Sequence, residues 1–229
     1  MSEKFAFAPP KCTALKIKNS DELFPVRRVY CMGRNYAEHA REMGHEPERE
    51  KPFFFMKPSD AICQSDIFSY PPATTDVHHE VELMVLLKSG GRDIAVSDAL
   101  SHVFGYAVSL DMTRRDHQQE AKKAGRPWEI GNAFDHSAPC SEIARASEIG
   151  HPACGAINLH RNGKAAQHGD LDQQIWDVPE IIVYLSSLFE LKAGDVIMTG
   201  TPAGVGSVAV GDKLEASIER VGHLTVTVV

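Results

Sequence analysis

His78-His79-Glu80-Val81-Glu82-Leu83-Met84-Val85-Leu86-Leu87 is an apolar run that carries two carboxylates two residues apart. Aliphatic and β-branched residues favour a strand, and on a strand residues i and i+2 face the same way. Glu80 and Glu82 then stand side by side on an otherwise apolar element, and such a pair repels unless a cation, a shared proton or water relieves it. A half-exposed strand with both Glu on its solvent face is the plainer reading of an isolated Glu-x-Glu. His78 and His79 are adjacent, so on a strand they face opposite ways and do not join one cluster.

Working outward, Val29-Tyr30-Cys31-Met32 reads as a buried strand ended by Gly33, and Phe53-Phe54-Phe55-Met56 as another running into Lys57-Pro58. Between them Tyr36, Ala40 and Met43 fall at i, i+4 and i+7. This gives a short amphipathic helix over 34–44, stopped by Gly44 and followed by a solvated connection over 45–52. Beyond the central run, Ser97 is placed to cap a short helix through residue 103, and Phe104 to Leu110 is a strand that delivers Asp111. Thr113 to Ala124 is helical in composition and closes at Gly125. Arg161-Asn162-Gly163-Lys164 marks a hairpin, and Asp177-Val178-Pro179-Glu180 starts a helix with a capping box. Strand Val196–Thr199, the Gly-rich loop 200–206 and a closing hairpin (Leu214–Ile218, Leu224–Val228) complete the chain. Residues 1–28 read as a short lead-in, with Ala14–Ile17 as an edge strand, and 29–229 as a single catalytic domain. Many short strands and few helices make a β-rich α+β fold.

The 229 residues suffice for a full core, and the net charge of −7 comes with scattered rather than massed Lys and Arg, so no nucleic-acid footprint is expected. No apolar stretch reaches bilayer length, the N-terminus lacks a basic-then-apolar signal pattern, and no membrane partner is expected. Five dispersed cysteines with no Cys-x-x-Cys suit reduced thiols in the cytoplasm.

Asp111 is the candidate third carboxylate. With Glu80 and Glu82 it makes an oxygen-only anionic site of the kind that hard ions such as Mg²⁺ or Mn²⁺ choose. A helix N-cap is its other reading, and Asp116 is a competing ligand. Arg115 and Gln118 are i and i+3, fit to hold a substrate carboxylate and a carbonyl, or else a solvated helix face. His39 and Glu42 are also i and i+3; a carboxylate that fixes an imidazole's tautomer makes a general base, while a surface ion pair is the bland alternative. The 200–206 loop matches neither a P-loop nor a dinucleotide fingerprint and offers Thr201 as a hydroxyl. Lys57 is either a pocket cation or a snorkelling surface lysine.

Together these stretches resemble the fumarylacetoacetate hydrolase family. The matching segments are Cys31 through Tyr36 with His39 and Glu42, Lys57-Pro58, His79 through Leu83, Asp111 through Gln118, Ala133-Phe134-Asp135, Asn162-Gly163 with Gln167, and Gly194-Asp195 through Gly206. The span Lys122–Glu129 is most like the fumarylpyruvate and acylpyruvate hydrolase branch. The resemblance implies a mixed β-sandwich roll, usually a homodimer, with Mg²⁺ or Mn²⁺ on Glu80, Glu82 and Asp111. It implies a His39–Glu42 dyad on a helix that orders as a lid, and substrate contacts from Arg34, Lys57, Arg115, Gln118, Asn132 and Thr201. The implied reaction is cleavage of a 2,4-dioxo acid to pyruvate and a carboxylic acid, as in gentisate-type aromatic catabolism. Oxaloacetate decarboxylation or an oxo-acid tautomerisation on the same site is the alternative, and a non-catalytic binder of metal and dicarboxylate a further one. One position departs from the pattern: Asn132 stands where the family commonly has a pocket lysine, offering a hydrogen bond but no charge.

Overall fold

The structure, a computed structural model, describes residues 4–42 and 51–229. Its centre is a six-stranded sheet in the order Ala144–Arg145, Val103–Leu110, Val81–Leu87, Val196–Met198, Val29–Gly33 and Phe53–Lys57. Neighbours are antiparallel except Val196–Met198 against Val29–Gly33. A five-stranded sheet runs Lys164–Asp170, Ala156–Arg161, Lys213–Ile218, Gly222–Val228 and Ile67–Phe68. This is the β-rich mixed architecture that the pattern of short strands implies.

The central strand Val81–Leu87 is buried at every position, which explains its near-continuous apolar sequence. Its side chains divide by alternation. Val81, Leu83, Val85 and Leu87 enter one core together with the second sheet and the helix Val178–Leu188. Met84 and Leu86 enter another, shared with Val29, Cys31, Val196 and Met198 and with Leu15, Ile17, Phe24 and Val26 of the lead-in. Glu82 belongs to this second face, at its end.

The run quoted from His78 to Leu87 is not one strand. Val77–His79 pairs with Thr113–Arg114 and Gly206–Ser207, while Val81–Leu87 belongs to the central sheet, and Glu80 is the joint between them. Helix Arg115–Ala124 consequently starts two residues later than composition suggests, because Thr113–Arg114 is held as strand. Asp111 caps nothing there, and Gly125 closes the helix in the left-handed conformation at φ 61°. Ser97 does not cap: the helix Val96–Ala99 begins after Ala95 and continues as a tight turn through His102. The Asp177–Glu180 capping box is present in both directions, and Asn162 and Gly163 take the positive φ that a tight hairpin requires. The helix after Gly33 runs Ala37–Glu42; its start is delayed because Arg34 has φ 55° and the Asn35 amide is tied to Trp176 and Thr199. Met43, the Gly44 stop and the connection over 45–50 lie outside the described residues. No helix among the described residues is long and apolar enough to cross a membrane.

Candidate active site

Several strands bring their ends to one place. Glu80 sits at the strand joint, Glu82 one residue into the central strand, and Asp111 directly after Val103–Leu110, which pairs with it in antiparallel register. The Asp111 N–H donates to the Glu80 carbonyl at 2.8 Å, locking the two segments together. One oxygen from each of the three buried carboxylates lies within 4.8 Å of the others.

So much like charge out of water is costly, and it shifts the pKa of each group. Burial, with Asp111 and Glu80 beside it, pushes Glu82 well above the usual carboxylate range. Asp111 is raised by burial to about 6, against the opposing pull of Lys57. Burial acts on Glu80 in the same direction, but Arg115 overcomes it and holds Glu80 below its ordinary value. Lys57 Nζ lies 2.8 Å from Asp111 Oδ1, donates to Ser137 Oγ at 2.9 Å and also to the Asn132 carbonyl. Lys57 is therefore a buried cation and not a surface lysine. Arg115 pairs with Glu80 and donates to Gln118 Oε1 at 2.7 Å. Glu82 accepts the Gly200 N–H at 2.8 Å and has no cationic partner among the described residues. Two of the three carboxylates have a paired cation and Glu82 has none among the described residues. A divalent cation fits this donor set, which is all oxygen. The nearby Cys31 thiol is pushed well up by burial and by Asp111, so it offers no thiolate to compete.

His39 lines the same cavity as these carboxylates. Its Nδ1 lies 3.2 Å from Glu42 Oε2; His39 is buried, 7 % exposed, while Glu42 is exposed. The Glu42 carboxylate also accepts the Gly204 N–H at 3.1 Å, which docks the helix on the Gly-rich loop. Gly204 has φ 94°, and a Cβ there would lie 2.2 Å from the Ala166 carbonyl oxygen; no other residue fits. Thr201 lines the cavity as well. Its Oγ1 accepts from Gln167 Nε2 at 2.7 Å, while Gln167 Oε1 accepts the Val81 N–H at 3.0 Å, so the hydroxyl proton is left for a ligand.

Other expected residues are placed differently. Asn132 and Lys57 stand behind the cavity and do not line it. The Asn132 amide accepts from Gln118 Nε2 at 3.1 Å and donates to Thr113 Oγ1 at 3.2 Å. Asp116 is not in the carboxylate cluster; it accepts from the Thr74 hydroxyl at 2.7 Å and from the Thr75 and His117 N–H groups. Arg34, Arg115 and Gln118 do line the cavity, together with Phe53, Lys122 and Trp128. Lys122 was not singled out as a site residue from the sequence, although a signal exists: Arg115, Gln118 and Lys122 recur at i, i+3 and i+7, one face of the helix.

Three buried carboxylates that could hold a metal ion and a buried imidazole thus line one cavity. The chain belongs to the fumarylacetoacetate hydrolase family, whose model for the fumarylacetoacetate (FAA) hydrolase C-terminal region matches residues 28–229. It is 51 % identical to a fumarylpyruvate hydrolase from Pseudomonas aeruginosa solved in complex with Mn²⁺ and pyruvate, with a TM-score of 0.97 over 99 % of each chain. It is 41 % identical to the oxaloacetate tautomerase YcgM of Escherichia coli, over 89 % of this chain and 93 % of that one. A mitochondrial oxaloacetate decarboxylase of Dictyostelium discoideum is 39 % identical over 84 % of this chain and 88 % of its own.

Proposed function

We propose that the protein is a metal-dependent hydrolase that cleaves the C–C bond of a 2,4-dioxo acid, fumarylpyruvate or another acylpyruvate, to pyruvate and a carboxylic acid. The observation that carries this reading is the buried His39, paired with the more exposed Glu42, in one cavity with the Glu80–Glu82–Asp111 cluster. Hydrolysis needs a base for water and decarboxylation does not, whereas tautomerisation also needs a base and is not separated from hydrolysis by this pair. The likeness to the Pseudomonas aeruginosa fumarylpyruvate hydrolase supports the same choice.

Glu80, Glu82 and Asp111 would hold Mg²⁺ or Mn²⁺, which when bound supplies Lewis acidity to the substrate's oxygens. Arg115 and Gln118 hold the substrate's carboxylate and keto oxygen, and Thr201 donates its hydroxyl proton to a substrate oxygen. Glu42 accepts the Nδ1–H of His39, which leaves Nε2 free to take a proton from water. The hydroxide adds to the carbonyl remote from the carboxylate. The C–C bond then breaks, and its electron pair passes to the methylene carbon, conjugated with the neighbouring keto group. That carbon takes the proton from His39, so one water is consumed and pyruvate and the acid leave. On this reading the enzyme is a cytoplasmic homodimer.

The relatives named for oxaloacetate favour a second reading: tautomerisation or decarboxylation of oxaloacetate on the same site. An ultraviolet assay over acylpyruvates, fumarylpyruvate and oxaloacetate, with Mg²⁺ or Mn²⁺ and with chelator, separates the two. Metal-dependent loss of acylpyruvate absorbance is expected. Inert acylpyruvates beside rapid oxaloacetate turnover would replace hydrolysis with the second reading.

A further inference from the structure

The cavity has a second charged side that the proposed hydrolytic steps leave unused. Phe53 and Trp128 meet edge-to-face, with centroids 5.4 Å apart at 82°, and Phe55 lies 5.9 Å from Trp128. The guanidinium of Arg34 rests 5.3 Å over the Phe53 ring, and Lys122 Nζ rests 4.5 Å over Trp128. Two cations are thus held on one aromatic wall, at the edge of the cavity that holds the carboxylate cluster. Neither has a carboxylate partner among the described residues. We propose that Arg34 and Lys122 receive a carboxylate at the far end of the substrate's acyl group, with the Phe53–Trp128 wall against the chain between, so that the pocket selects acyl groups that end in an acid.

The inference rests on the hydrolase reading for its substrate, and its chemistry follows from charge. Lys122 carries a positive charge against opposition: burial, then Arg115 and Arg34, lower its pKa to about 8, and among the neighbouring charges only Glu80 acts the other way. Cations kept together with no ion-pair partner among the described residues form a candidate anion site, as carboxylates kept together form a cation site. Stacking on aromatic rings fixes both heads without using up their N–H donors, which stay available to an incoming carboxylate. A flat, conjugated acyl chain suits the flank of Trp128 better than a bulky one.

The test is a ratio of substrates. Fumarylpyruvate and acetylpyruvate share the 2,4-dioxo acid head and differ in whether the acyl end is a carboxylate or a methyl group. Lys122→Met should lower the fumarylpyruvate-to-acetylpyruvate ratio of kcat/KM by about 10–100-fold, the scale of one charge-assisted hydrogen bond, chiefly through KM. Lys122→Arg should restore most of it. An unchanged ratio, with both substrates losing equally, would assign Lys122 to the shared head and overturn the proposal. A binding measurement decides the point even if hydrolysis is refuted. Calorimetric titration of the Mn²⁺-loaded protein with fumarate and with crotonate, which lacks the second carboxylate, should show at least a tenfold preference for fumarate that Lys122→Met abolishes. Equal affinity for the two acids in the unaltered protein would also overturn it.

Discussion

The acidic floor and the cationic rim of the cavity are built on opposite plans. The floor is made of Glu80, Glu82 and Asp111 at strand ends, buried and fixed by sheet register. The rim is made of Arg34 and Lys122, half-buried, on a left-handed loop position and a helix, and fixed by aromatic stacking. Each gathers like charges that are not fully paired among the described residues: Glu82 in the floor, and Arg34 and Lys122 in the rim. A floor held by backbone pairing suits the step every 2,4-dioxo acid shares. A rim held by side-chain stacking is free to suit one acyl end rather than another.

The floor can be broken outright. Glu82→Gln removes the one cluster carboxylate without a cationic partner, so the protein should stay folded while metal-dependent turnover falls by about 10³-fold or more, the several kcal/mol a bound metal supplies. Calorimetry should show Mn²⁺ binding lost with it. Chelator supplies a second test. Asp111 is raised from 3.8 to about 6, so the metal-free native state binds more protons than the unfolded chain between those values. Asp111's own contribution to stability without metal should therefore fall as pH rises through that window, and added Mn²⁺ should raise the melting temperature more at pH 7 than at pH 4. Asp111→Asn removes this group's share, so the variant's metal-free stability relative to the unaltered protein should rise from pH 4 to pH 6; a difference that does not change with pH would contradict the account of the floor.

The base comes next in size. His39→Ala should cost roughly 10²–10⁴-fold in kcat, the usual contribution of a positioned general base, and leave Mn²⁺ affinity within a fewfold. If the substitution instead releases the metal, His39 is a ligand and belongs to the floor.

These two sets of residues differ in how far they could be read from the chain. Glu80 and Glu82 stand out because a charged pair interrupts an apolar run, and Asp111 because it follows a buried strand; that is local pattern. That Glu80 is a joint between two sheets was not legible, because strand pairing across 30 residues decides it and periodicity does not. Lys57 was ambiguous for a similar reason: its neighbours are apolar whether it snorkels or pairs, and only the fold brings Asp111 to 2.8 Å. The rim is the least legible part. Arg34, Phe53, Lys122 and Trp128 come from three separate segments, and cation–π stacking leaves no periodic trace. Ser97 misled because a good capping residue lies one position inside a helix that begins after Ala95.

The rim responds to pH on its own. Lys122, with a pKa lowered to about 8, loses its charge as pH rises through that value, so KM for an acyl group ending in a carboxylate should climb by up to about tenfold between pH 7 and pH 9. The bound carboxylate raises the lysine's pKa in the complex, so kcat should follow the same change at higher pH or not at all. KM for acetylpyruvate should stay nearly level over this range, and parallel profiles for the two substrates would merge rim and floor into one electrostatic site.

The smallest effect is expected at the residue that touches both sides. Asn132 sits behind the cavity: its carbonyl accepts from Lys57, which faces the floor, and its amide bridges Gln118 and Thr113, which support the helix of the rim. Asn132→Ala keeps the carbonyl and therefore the Lys57–Asp111 pair. It strands the Gln118 amide and the Thr113 hydroxyl in a buried place, which should cost about 1–3 kcal/mol of stability. The rate should change no more than about tenfold, because the lost groups hold Gln118 from behind and do not meet the substrate. Chemical denaturation and steady-state kinetics on the same preparation measure both. A thousandfold loss of kcat with little change in stability would mean that the amide reaches the reacting atoms, and that the neutral side chain here takes over the role of the charged one it replaces.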